Sequence, residues 1–130
     1  MYKYYQPNKK DIKDAYGDCT VRAISKALDL TWVGAFKIMI PYCIEYQVTN
    51  IFDCPIKTRK EILSELGFEY TGVSNKRGTK RPTVSSFAKE HKICTYIINV
   101  ANHVVAVVDG IYYDTWDSGD CSVYGYFKKL

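Results

Sequence analysis

A chain of 130 residues, 47% hydrophobic and 25% charged, makes about one folded domain and can bury a core without a disulfide or metal staple. That balance excludes wholesale disorder. Met1–Lys10 lacks the apolar run of a signal peptide, and no stretch approaches the roughly 18 apolar residues that span a bilayer. A membrane is therefore not an expected partner, and a reducing cytoplasm is the expected location. The five cysteines, Cys19, Cys43, Cys54, Cys94 and Cys121, are scattered with no CxxC pair, so they read as free thiols. His91, Cys94 and Cys54 are the nearest approach to a ligand set, but neither a metal nor any other cofactor is expected.

Residues 1–17 are polar and turn-rich. Asp18 then stands before Val21, Ile24, Ala27 and Leu28, the spacing of a helix with one buried face, and its carboxylate is placed to cap the first turn. Thr31 starts a second helix, through about Tyr46, with Trp32, Ala35, Phe36, Met39 and Ile40 as its stripe; Pro41 is expected to kink it or end it early. Residues 47–57 connect to a third helix, Lys57–Leu66, stopped by Gly67. A short strand, Phe68–Val73, leads to a basic loop at Ser74–Arg81, and Pro82 and Thr83 open a fourth helix, Val84–Glu90.

The last third is rich in β-formers. Ile93–Val100 reads as a buried strand. His103–Val108, Asp109-Gly110 and Ile111–Trp116 make a strong hairpin signal. Residues 121–128 read as a final edge strand. Helices first and an antiparallel sheet afterwards give a single α+β domain over residues 1–130.

Cys19 sits in the first turn of the first helix, where free amides and the helix dipole favour the thiolate, the reactive form of the side chain. In the hairpin, a two-residue turn at Asp109-Gly110 sets Val108 across from Ile111, Val105 across from Asp114 and His103 across from Trp116. His103 and Asp114 then share a face as diagonal neighbours. A carboxylate there fixes one imidazole nitrogen and leaves the other free, while Trp116 shields the pair. Arg22, one turn after Cys19, is placed to support the site or to bind a substrate carboxylate. Asp117 points to the opposite face.

A thiol at a helix start, a histidine on a later strand, and an Asp followed two residues on by Trp (Asp114-Thr115-Trp116) resemble the papain-like cysteine hydrolases. Gly17-Asp18-Cys19-Thr20-Val21-Arg22-Ala23-Ile24 also resembles the nucleophile region of OTU-type deubiquitinases. Taken with the His103–Asp117 segment, the chain is similar to small uncharacterised phage and prophage proteins. The resemblance implies a compact papain-like fold and a Cys19-His103-Asp114 triad acting on a protein or peptide substrate by hydrolysis or amide transfer. For a phage protein it implies the host-cell cytoplasm. Papain-like enzymes carry a glutamine shortly before the cysteine as an oxyanion donor; that position is Lys13 here, and Gln6 and Asn8 are the nearest amides.

Two other readings stand beside this one. The same fold without turnover would be an interaction module for a host or defence protein, using the surface of its twelve tyrosines. Lys76, Arg77, Lys80 and Arg81 could hold a nucleic acid, but no interleaved aromatics or helix-turn-helix accompany them, and a solvated loop is the better reading. The sequence assigns no oligomeric state.

Overall fold

Residues 1–10, 17–76 and 78–130 are described by a computed structural model, and two β-branched runs set its centre. Strands β3 (Thr95–Val100) and β4 (His103–Val108) pair antiparallel from Val100↔His103 to Thr95↔Val108. Strand β5 (Ile111–Asp114) returns from β4 with Val108 opposite Ile111. Asp109 and Gly110 between them both have positive φ, 50° and 81°. That is the tight primed turn the Asp-Gly pair predicts, whose twist matches the flanking strands.

Both faces of this sheet are covered, which explains why β3 and β4 read as continuous apolar runs. On one face Val104 and Ala106 pack with helices α1 (Cys19–Ala27), α2 (Trp32–Tyr46) and α3 (Ile56–Glu65), through Ile24, Ala35, Met39 and Leu63. On the other, Val105 and Val107 pack with Val84, Phe87 and Ala88 of helix α4 (Val84–Glu90). Ile24 is wholly buried and contributes about 1.5–3 kcal/mol by that burial. Among the described residues no single helix is long and apolar enough to cross a membrane.

The α+β class is as expected, and the fold differs from the sequence reading in four places. The sheet is mixed: Tyr2–Tyr4 forms strand β1, parallel to β5, giving the order β1-β5-β4-β3-β6-β2. The last strand, β6 (Gly125–Lys129), is interior, because β2 (Phe68–Gly72) comes back from α3 and pairs outside it. Tyr70 of β2 lies 4.8 Å from the Phe127 ring, and a Cβ at residue 125 would meet the Tyr70 hydroxyl at 2.3 Å, so only glycine admits this approach.

Pro41 does not end α2, which runs on to Tyr46. It sits on the exposed side, where water can satisfy the carbonyl that its missing N–H leaves free. Asp18 stands at the N-cap position of α1, yet its side chain makes no capping bond. The carboxylate is taken by Arg22 and by Trp32 Nε1, at 3.2 Å from the latter. A guanidinium offers a charge-assisted bond that the backbone amides cannot match.

Candidate active site

Cys19 is the first residue of α1, entered through Gly17 at φ +85°, a conformation that favours glycine. His103 opens β4, and Asp114 closes β5. Antiparallel pairing therefore brings the imidazole and carboxylate to the same end of the sheet. His103 Nε2 and Asp114 Oδ2 are 2.6 Å apart, leaving Nδ1 for the thiol. Cys19 and His103 line one pocket, and the thiol lies close enough to the imidazole to shift its titration. Cys19 thus meets the hydrogen-bonded His103–Asp114 pair in one site.

The electrostatics follow from that contact. Burial pushes the Cys19 thiol up, but the His103 hydrogen bond, the backbone amide of Val104, and the charges of His103 and Arg22 outweigh it. The net effect holds Cys19 below its ordinary value. Burial likewise pushes His103 down, yet the hydrogen bonds and charges of Asp114 and Cys19 carry it to about 9. Burial would raise Asp114, and His103, Ser118 and the Thr115 amide bring it below the ordinary carboxylate value. The arrangement favours a thiolate beside an imidazolium.

Asp114 is only 2% exposed, so its lone pairs need partners. Oδ2 accepts from Ser118 Oγ at 2.8 Å as well as from His103; Oδ1 accepts from the Thr115 amide at 2.8 Å and from Arg22 Nη2 at 3.4 Å. Its backbone carbonyl accepts from the Tyr5 amide at 2.8 Å and the Tyr2 hydroxyl at 3.2 Å, so β1 holds it from the outside. Arg22 bridges Asp18 and Asp114, which occupies the guanidinium inside the site.

Strand β5 ends at Asp114, so Trp116 is not a ladder partner of His103. It reaches the imidazole from the bend that follows, with ring centroids 5.1 Å apart. At 48% exposed it covers one face of the ring. Asp117 turns away: Oδ1 accepts from the Tyr112 hydroxyl and the Gly119 amide.

The two amides named as oxyanion candidates lie elsewhere. Gln6 Oε1 accepts from the Asn8 amide, and Asn8 Oδ1 from the Lys10 amide. Asn8 lines a surface hollow with Trp32 and Val33, and neither Gln6 nor Asn8 lines the pocket at Cys19. Lys13 falls outside the described residues.

That pocket, about 310 Å³, is walled beside Cys19 and His103 by Asn50, Phe52, Arg59, Asn99 and Asn102. Sequence reasoning named none of these, nor Ser118. Asn50 and Arg59 lie in a stretch that reads as a connection and a helix surface, with no periodicity to mark them.

His91 stacks on Phe87 at 3.8 Å, with Nδ1 2.8 Å from the Phe87 carbonyl oxygen. Among the described residues no three His, Cys, Asp or Glu side chains converge as a metal site. In the basic loop Arg77 lies outside the described residues, and the Arg81 guanidinium packs 4.3 Å from the Tyr124 ring centroid.

No protein-family model matches the sequence, and no curated protein or solved structure matches it significantly.

Proposed function

We propose that the protein is a cysteine hydrolase or acyl transferase in which Cys19 is the nucleophile, His103 the acid-base group and Asp114 the residue that orients it. The observation that carries this reading is Cys19 set beside the hydrogen-bonded His103–Asp114 pair at the wall of one pocket; a thiol held below its ordinary value and an imidazole raised to about 9 agree with it.

The thiolate attacks a carbonyl carbon, forming a C–S bond and placing the carbonyl electrons on oxygen. The Cys19 backbone N–H, which has no intrahelical acceptor at the first position of α1, is a donor for that oxyanion. Collapse expels the amine or alcohol, which takes the proton from His103. A thioester remains. Water or an amine, giving its proton to His103, then attacks the thioester; the acyl group leaves with the new nucleophile and the thiolate–imidazolium pair is restored. Asp114 keeps the ring in the one orientation that serves both halves.

The test is selective labelling. Iodoacetamide at pH 6–7 should alkylate Cys19 well ahead of Cys43, Cys54, Cys94 and Cys121, and an electrophilic activity probe should label the wild type but not Cys19→Ala. Equal labelling of all the thiols would sink the reading.

A further inference from the structure

Asn50, before the 3-10 turn at Ile51–Asp53, has its side-chain oxygen engaged twice, by Thr20 Oγ1 at 2.9 Å and by the Phe52 amide at 3.0 Å. Its carboxamide orientation is therefore fixed, and its NH₂ donates to none of the described residues. Arg59, in the first turn of α3, lays its guanidinium 5.5 Å from the Phe52 ring centroid. Among the described residues its Nε is shut away from solvent with no hydrogen-bond partner, and Arg59 enters no ion pair. Asp53 shares the pocket but is exposed and does not pair with Arg59. Asn99 and Asn102 also line the pocket.

Arg59 lines the pocket with no carboxylate paired to it among the described residues, and an anionic ligand entering the pocket would supply that partner. The planar fork of Arg matches a carboxylate best. Resting on the nucleophile reading above, we infer that the pocket selects acyl groups bearing a carboxylate beside the scissile bond, with Arg59 as the cation that binds it and Asn50 as an accompanying donor.

Two alkylating probes of similar size test this on the full chain: iodoacetate, which carries a carboxylate, and iodoacetamide, which is neutral. At Cys19 the iodoacetate-to-iodoacetamide rate ratio should exceed that of a free small thiol. Arg59→Gln should lower this ratio about fivefold, the effect of losing one screened charge pair, and leave the iodoacetamide rate within about twofold. Arg59→Met, which keeps an apolar stem over Phe52, should do the same and serves if Arg59→Gln does not fold. An unchanged ratio, with Cys19 still labelled selectively, overturns the inference and leaves the nucleophile reading standing. Unselective labelling by iodoacetamide removes both. Aminomethylcoumarin amides of N-acetyl-glutamate and of succinate then separate a side-chain carboxylate from a terminal one; if neither is cleaved faster than the N-acetyl-glutamine amide, the inference falls.

Discussion

Ser118 donates to the same oxygen of Asp114, Oδ2, that His103 Nε2 meets, at 2.8 and 2.6 Å. Ser118 is wholly buried, so water cannot replace its hydroxyl. Ser118→Ala should cost about 1.5–3 kcal/mol, the range for a hydrogen bond to a charged group. It should also slow alkylation of Cys19, because the carboxylate is then held from one side less. A thermal melt and the labelling rate read the two effects. A melt unchanged from wild type would mean that the hydroxyl does not hold the carboxylate.

Arg22 ties the start of α1 to the end of β5 through Asp18 and Asp114. Removing one partner from a mostly buried ion pair leaves charge without compensation. Arg22→Ala should therefore destabilise by about 3–5 kcal/mol. Arg22→Lys should lose less but not be neutral, since an ammonium cannot fork between two carboxylates. Chemical denaturation of the three proteins checks the order. Equal stability of Arg22→Lys and wild type would count against the bridging role.

The His103 contact makes a specific pH prediction for Cys19. In the wild type, alkylation by iodoacetamide should set in at lower pH than for an ordinary thiol, because Cys19 is held below its ordinary 9.0. In His103→Gln the hydrogen bond and the charge are lost while burial remains. The rate at pH 6 should fall by roughly 10- to 100-fold, and the profile should move toward or above that of an ordinary thiol. Superimposable profiles would show that His103 does not set the reactivity.

How much of this was legible in the sequence depends on whether the determining contacts were local. The Asp-Gly turn fixes the register of β4 and β5, and register fixes which side chains are diagonal neighbours, so His103 and Asp114 could be paired from sequence. Helices α2, α3 and α4 followed from periodicity and caps. Strand β1 was not visible, because Tyr2-Lys3-Tyr4 is too short to show a pattern and forms only against β5. Ser118, Asn50 and Arg59 owe their roles to long-range folding of loops and a helix surface, where residue type carries no address. Asp18 was misread for a related reason: its local capping partners lost to Arg22 and Trp32, of which only Arg22 is near in sequence.

The ion pair also fixes how stability should vary with pH. His103, raised from 6.5 to about 9, contributes stability that is fully present below 6.5 and lost as pH rises through about 9. Cys19, lowered from 9.0, contributes in the opposite sense, with stability present above 9.0 and lost as pH falls through its folded value. Where thiolate and imidazolium coexist, the folded pair binds one proton, and so does the unfolded pair of thiol and neutral imidazole. The two slopes cancel there, and wild-type stability should be flat. Cys19→Ala removes one side of that balance. Asp114 still holds the His103 proton, so stability should fall by about 1.4 kcal/mol per pH unit from pH 6.5 up to the lowered His103 value. Only two histidines are present, and His91 is stacked on Phe87, so proton NMR can follow His103 directly. Its titration should move down from about 9 in Cys19→Ala. An unmoved titration, with the stability profile of Cys19→Ala parallel to that of the wild type, would show that sulfur and imidazole do not share a proton.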